Sequence, residues 1–187
     1  LEALREPLEE GVIHVARANV RVALPARFLL VAATNPCPCG GGPPGACQCG
    51  ATAIARYLRR LSGPLADRFD LRVVVHRPSV DDLVGDERGE SSASVRQRVV
   101  AARLLAVERQ GCPNAMLDAR ALDRVAPLGG DARALLRDEL ERNRLTGRGY
   151  HRIRRVARTV ADLRGGDEMV ERADVEVPRR LRVEQPP

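Results

Sequence analysis

The chain has 187 residues, a formal charge of +6, and 44% hydrophobic but only 2% aromatic residues. That length fits one domain or a domain with a small appendage, and chains of about 150 residues already bury roughly 70% of their unfolded surface. With Phe28, Tyr57, Phe69 and Tyr150 as its aromatics, the core must be Leu, Val and Ala, and the chain offers few rings on which bases could stack.

Leu1, Leu4 and Leu8 recur at helical spacing, and Gly11 supplies the stop. A chain that opens inside a helix reads as the start of a fragment. Val12-Ile13-His14-Val15 and Val20-Arg21-Val22-Ala23-Leu24 flank residues 17–19 and predict a β-hairpin. Phe28 to Ala33 is a continuous apolar run, which fits a central parallel strand buried on both faces. It ends in Thr34-Asn35-Pro36. Residues 37–50 are rich in Cys, Gly and Pro and predict no regular structure; Ala51 to Leu61 reads as a short basic helix. Ser62-Gly63-Pro64 predicts a turn, Leu65 to Arg68 one helical turn, and Leu71 to Val75 a second strand.

Residues 78–92 are polar and turn-rich, as in a linker. From Ala93 the pattern is helical, with Val95, Val99 and Leu104 on one face and Leu135, Leu136 and Leu140 on another. Ile153, Val156, Val160 and Leu163 make a third stripe at i, i+3, i+7 and i+10. The segment 166–187 is charged, and Pro178 with Pro186-Pro187 limits any last helix. The organisation predicted is an α/β piece at 1–77, with a parallel sheet and a hairpin insertion, then the linker, an all-helical domain at 93–165 and a charged tail.

All 31 basic residues are arginines, so no phosphate-loop lysine is present. The basic balance points to a polyanion, either nucleotide or nucleic acid, and nucleic-acid contacts would run through backbone phosphates. No apolar run approaches the roughly 18 residues that span a bilayer, and no signal sequence opens the chain. The five cysteines then belong to a reducing cytoplasm away from membranes, where metal binding comes before disulfides.

Arg68 stands on a turn beside a strand, suited either to an anion from another molecule or to a surface ion pair with Asp67 or Asp70. Asn35 follows an apolar strand, where ligands bind in open α/β sheets, and is equally a common turn residue before proline. Thr146 is a candidate N-cap that places Arg148 in the first turn of a helix. A cation there opposes the macrodipole unless an anion is near; the alternative is a solvated face shared with Arg152 and Arg155. Cys37, Cys39, Cys47 and Cys49 form CxC-x7-CxC, a donor set for a tetrahedral structural zinc, or else a loop of free thiols. His14, His76 and His151 show no ligand spacing, and Cys112 stands apart as a small hydrophobe.

Residues 11–27 followed by FLLVAATNP, then LSGPLADRFDL, then TGRGYHRIRRVARTVADL, resemble the second half of the magnesium-chelatase-like AAA+ ATPases, in the ComM-like branch, over residues 1–165. The resemblance implies a hairpin before sensor 1 at 12–24, and Asn35 as the sensor 1 residue that positions the attacking water. It implies Arg68 as an arginine finger reaching a neighbour's nucleotide, and Arg148 as the sensor 2 arginine of a helical lid. It further implies ATP with Mg2+ as cofactor, a hexameric homo-oligomer, and DNA as the substrate remodelled. The cysteine insertion at 37–50 sets the chain apart from the chelatase subunit proper, which remains an alternative function. A non-catalytic zinc-containing module that binds nucleic acid or acts as a scaffold is another. The sequence contains neither a GxxxxGK[ST] loop nor a Walker B acidic strand, so this polypeptide alone is expected not to hydrolyse ATP.

Overall fold

The structure, a computed structural model, describes residues 2–18, 20–41, 46–59, 65–85, 89–166 and 168–182. It is mixed α/β and mostly helical, and divides into two compact units, Leu1–Phe69 and Asp70–Pro186. No helix among the described residues is long and apolar enough to cross a membrane.

In the first unit a short 3-10 turn leads into α1 (Arg5–Glu10). Gly11 ends it at φ 68°, and its N–H bonds the Pro7 carbonyl. Only glycine suits that position, since a Cβ would meet the Arg27 Cγ at 2.8 Å. Strands β1 (Val12–Arg17) and β2 (Val20–Pro25) pair antiparallel, with Ile13 opposite Leu24 and Val15 opposite Val22. These four side chains lie on one face, and all are exposed. Helix α2 (Ala51–Leu58) follows the cysteine segment.

The predicted parallel sheet is absent among the described residues. Residues 28–33 and 71–75 join no ladder, and Leu29, Val31 and Val75 are 88%, 81% and 87% exposed. A strand exists only as part of a ladder, and a run with apolar residues on both faces needs a layer on each side. Apolar composition recorded the need for those neighbours without supplying them. The predicted turn at 62–64 lies outside the described residues.

The second unit opens with α3 (Val80–Val84), inside the segment that composition marked as a linker. Ser79 and Asp82 form a capping box there, with the Ser79 Oγ accepting from the Asp82 N–H at 3.0 Å. Helices α4 (Ser92–Gln110), α5 (Ala119–Val125), α6 (Gly130–Glu141), α7 (Gly147–Arg164) and α8 (Arg172–Arg180) follow. Ser91, Asp118 and Thr146 cap α4, α5 and α7. Their core holds Leu122, Ala126, Ala132, Leu136, Ile153, Ala157, Val170 and Val175.

The buried stripe of α7 is not the predicted one. Ile153, Ala157 and Ala161 face inward, together with Arg154, Arg158 and Asp162, whereas Leu163 is exposed. Likewise α4 buries Ala102 and Ala106 and exposes Val95, Val99 and Leu104. Small residues let two helix backbones approach closely, and the charged residues in the seam pair with one another.

Asp162 is the hub of that pairing. Its carboxylate accepts from Arg109 Nη1 at 2.7 Å, Arg109 Nη2 at 3.0 Å, Asn114 Nδ2 at 2.7 Å and Arg158 Nε at 3.1 Å. The Asp162 and Arg158 side chains are both 0% exposed. The set joins the end of α4, the turn at 114–116 and the last turns of α7.

The expected charged tail is instead α8, with Val175 and Pro178 buried and Pro178 inside the helix. A proline within a helix costs about 3 kcal/mol. Here burial of the apolar face offsets that cost, and so does Asp174, which takes Arg164 Nη2 at 2.9 Å and the Glu171 N–H at 2.8 Å.

Replacing Asp162 with Ala strands the buried Arg158 charge and is expected to destabilise the helical unit by about 3–5 kcal/mol in urea unfolding. Burial would raise the Asp162 pKa, but the hydrogen bonds from Arg109 and Asn114 and the charge of Arg158 hold it below the usual range. Its contribution is therefore complete above the unfolded value of about 3.9 and is lost as pH falls through the lower folded value. Asp162→Asn should flatten the acid limb of the stability profile; an unchanged limb would assign acid sensitivity elsewhere.

Candidate functional site

Asn35 ends a segment without regular secondary structure that begins at Ala26, and it is exposed. The preceding residue, Thr34, holds its Oγ1 2.9 Å from the Tyr57 hydroxyl on α2. Beyond Pro36 the cysteine loop turns back at once, through the bond from Gly40 N–H to the Cys37 carbonyl at 3.1 Å. Gly40 and Gly41 take φ 90° and 85°, a region that disfavours side chains.

The loop gathers all four of the cysteines singled out in the sequence, although residues 42–45 within it lie outside the described residues. The sulfur of Cys37 is 3.2 Å from that of Cys39 and 3.4 Å from that of Cys47, and Cys39 to Cys47 is 3.7 Å. Cys49 completes a set whose donor atoms lie within 4.8 Å of one another. A zinc tetrahedron with bonds of about 2.3 Å has sulfur edges of about 3.8 Å. The donor set fits such an ion.

Proton sharing within the cluster points the same way. The thiol of Cys37 leads a set of hydrogen bonds that bring Cys39 down to about 6. The bond to Cys39 pushes Cys49 up to about 12, and the same kind of bond raises Cys37. Cys39 thus favours the thiolate while Cys37 and Cys49 hold their protons, and a dication must displace those protons to bind. Cys112 lies in the second unit, against the helical core.

Arg68 ends the short turn Ala66–Arg68. Its side chain is 12% exposed. Its Nε donates to the Arg5 carbonyl at 3.1 Å and its Nη2 to the Glu9 carboxylate, both on α1. The guanidinium is thereby fixed to a helix by two bonds of different direction. Asp70, one of the local partners considered from sequence, pairs with Arg152 at 2.8 Å.

Arg148 is exposed in the first turn of α7, the second unit's longest helix but one. The Thr146 Oγ1 accepts from the Gly149 N–H at 3.0 Å, as the cap motif predicts. Gly149 is packed so closely that a Cβ would stand 2.7 Å from Leu145 Cδ1. The start of α7 is thus capped and closely packed beneath Arg148. Asn35, Arg68 and the four cysteines belong to the first unit, and Arg148 to the second.

Glu9 and Tyr57 are the contributors that sequence reasoning missed. Glu9 lies 59 positions from Arg68, and Tyr57 23 positions from Thr34. No local pattern links residues so far apart. A clue was available only for Tyr57, one of the chain's few aromatics, three positions after Ile54 on the half-buried face of a short helix.

Residues 1–83 match the family model of magnesium chelatase, subunit ChlI, and residues 89–181 match that of the ChlI C-terminal part. The chain is 43% identical over 171 residues to competence protein ComM of Haemophilus influenzae, covering 90% of this chain and 33% of that protein. It is 41% identical over 170 residues to the uncharacterized protein YifB of Salmonella typhimurium, covering 90% and 34%. An uncharacterized protein of Mycobacterium tuberculosis is 46% identical over 169 residues, covering 88% and 33%. The chain therefore spans about a third of the length of the curated relatives it matches.

The cluster geometry predicts one Zn2+ per chain by elemental analysis of reduced protein, with affinity that rises with pH as the Cys37 and Cys49 protons are displaced. Cys39→Ser should weaken binding by more than the roughly 10- to 100-fold that follows loss of an outer-shell partner. Equal zinc content in the variant would reject the site.

Proposed function

We propose that this chain, which belongs to the magnesium chelatase ChlI family and is ComM-like, supplies the sensor and finger residues of an AAA+ ATPase that remodels DNA as a ring-shaped, hexameric homo-oligomer. The observation that carries this reading is the anchored guanidinium of Arg68, gripped by the Arg5 carbonyl and the Glu9 carboxylate. A guanidinium needs such support to act at a fixed place on an anion that another molecule brings.

In this reading Asn35 orients the water that attacks the γ-phosphate. Its neutral amide adds no charge to repel the nucleophile. Arg68 meets the charge that builds on the transferred phosphoryl group in a neighbouring subunit, the role for which an arginine finger is worth 10³–10⁵ in kcat. Arg148 contacts nucleotide from the first turn of α7, where helix N–H groups already favour phosphate. Mg2+ bound with ATP would supply positive charge that offsets the charge of the phosphates. The sequence holds neither a GxxxxGK[ST] loop nor a Walker B strand, so the reading requires a further polypeptide segment that carries them. The same segment would give residues 28–33 and 71–75 strand neighbours, which none of the described residues provides.

A second reading is favoured by the four-cysteine cluster and the +6 charge: a zinc-containing module that binds nucleic acid without catalysis. It requires salt-dependent DNA binding by the zinc-loaded chain alone, with the logarithm of affinity falling linearly with the logarithm of salt concentration.

In a polypeptide that joins this chain to a phosphate loop and a Walker B strand, Arg68→Ala should lower ATP turnover by about 10³-fold or more. Nucleotide affinity should change little. Asn35→Ala should likewise act on kcat. Oligomers mixed from wild-type and Arg68→Ala subunits that kept full turnover would sink the finger assignment.

A further inference from the structure

Asn35 lies between two anchors. On one side, the Thr34 hydroxyl is 2.9 Å from that of Tyr57. On the other, Cys37 is one of the four clustered thiols, two residues after Asn35. The last thiol, Cys49, directly precedes Gly50, the N-cap of α2, and Tyr57 is in the last turn of that helix. The covalent chain, the sulfur cluster and the hydroxyl pair therefore close a ring. It runs from Thr34 through Asn35, Pro36 and Cys37, across the cluster to Cys49, and along α2 to Tyr57.

Inside this ring little freedom remains for Asn35. Pro36 has its φ fixed by its own ring. The loop folds over both residues: a Cβ on Gly40 would stand 3.8 Å from Asn35 Nδ2, and one on Gly41 would stand 2.7 Å from the Pro36 Cγ.

Magnitudes decide which link closes the ring. The Thr34–Tyr57 bond is exposed. A net hydrogen bond is worth roughly a 2- to 12-fold shift in an equilibrium. That is too little to hold together two ends separated by 23 residues, whose closure entropy grows with the logarithm of loop length. A metal joining Cys37 to Cys49 shortens the free path and brings Tyr57 back to Thr34 at high effective concentration.

We propose that Tyr57, together with Thr34, is a positioning residue for Asn35, and that metal binding at Cys37, Cys39, Cys47 and Cys49 sets its hold. This rests on reading the four thiols as a metal site and Asn35 as the residue that orients water. Metal occupancy then governs whether the asparagine is presented in one place, and loss of the metal frees it without altering a residue that touches nucleotide.

The test uses the reduced chain, metal-free or loaded with Co2+, and the variants Tyr57→Phe and Thr34→Val. Three signals are read: the cobalt–thiolate absorption band, amide hydrogen exchange at Thr34 and Asn35, and the side-chain amide resonance of Asn35, assigned with Asn35→Asp. Loading should slow exchange at both amides and sharpen the Asn35 signal. Tyr57→Phe should remove roughly 2- to 12-fold of that protection, leave the cobalt band in place, and have no effect on the metal-free chain. Thr34→Val, at an exposed position, should reproduce this if Tyr57→Phe disturbs α2. An equal effect with and without metal would make Tyr57 merely structural and overturn the proposal, as would no effect in the loaded chain. Absence of a thiolate band would instead reject the metal site itself. The role of Asn35 in turnover is measured separately through Asn35→Ala, so its failure is distinguishable from both.

Discussion

A carboxylate with no exposed surface cannot remain charged inside a helical unit unless cations and donors enclose it, and Asp162 is enclosed by Arg109, Asn114 and Arg158. Each of these comes from a different stretch of chain, so the charge can be satisfied only when α4, the turn at 114–116 and α7 are all in place. The same logic repeats around it. Glu139 is buried against Arg144, with its carboxylate taking Arg144 Nε and Nη2 at 2.9 Å each. Arg154 extends into the core to cap the end of α5, donating to the Leu122 and Ala126 carbonyls at 3.0 and 3.1 Å. In a chain with few aromatics, the arginines serve both as bulk and as specific connectors.

These pairings are costly to desolvate, and a well-packed apolar seam of the same volume would be about as stable. What they add is register. A stripe of Ile153, Ala157 and Ala161 allows a neighbouring helix to slide, whereas Arg158 and Asp162 satisfy their partners in one alignment. The start of α7, with its Thr146 cap and the close packing at Gly149, inherits that alignment. Arg148 is consequently carried on a fixed helix end.

The first unit works on another principle. It has little buried apolar surface among its described residues, and its hairpin face and Phe28, Leu29 and Val31 of the apolar run are exposed. Order there comes from a few directed contacts: Arg68 on α1, Thr34 on Tyr57, and sulfur on sulfur in the cysteine loop. The first two join positions far apart in sequence and the third gathers a single short loop, each at or beside one of the residues with a proposed chemical role. A small set of such links can define a site without a large core, but it leaves that site sensitive to each link.

Some of this was legible in the residues themselves. The hairpin followed from alternation on either side of a short turn, the cap at Thr146 from one hydroxyl before a helical run, and the cysteine cluster from its tight spacing. All of these are settled within a few residues, where backbone geometry and side-chain reach are fixed by covalent structure. The buried faces of α4 and α7, the helix around Pro178 and the absence of a ladder at residues 28–33 and 71–75 among the described residues were not. Their outcome depends on which partner is available, and a linear pattern of apolar residues counts a leucine as core whether or not a neighbour exists to cover it. The sequence by itself determined the local elements and the identity of the candidate site residues. Only the tertiary structure decided that α7 is buried through its alanines and paired charges, that Arg68 rests on Glu9 and that Asn35 lies inside a closed ring, because those depend on contacts between residues that covalent geometry leaves free to be anywhere.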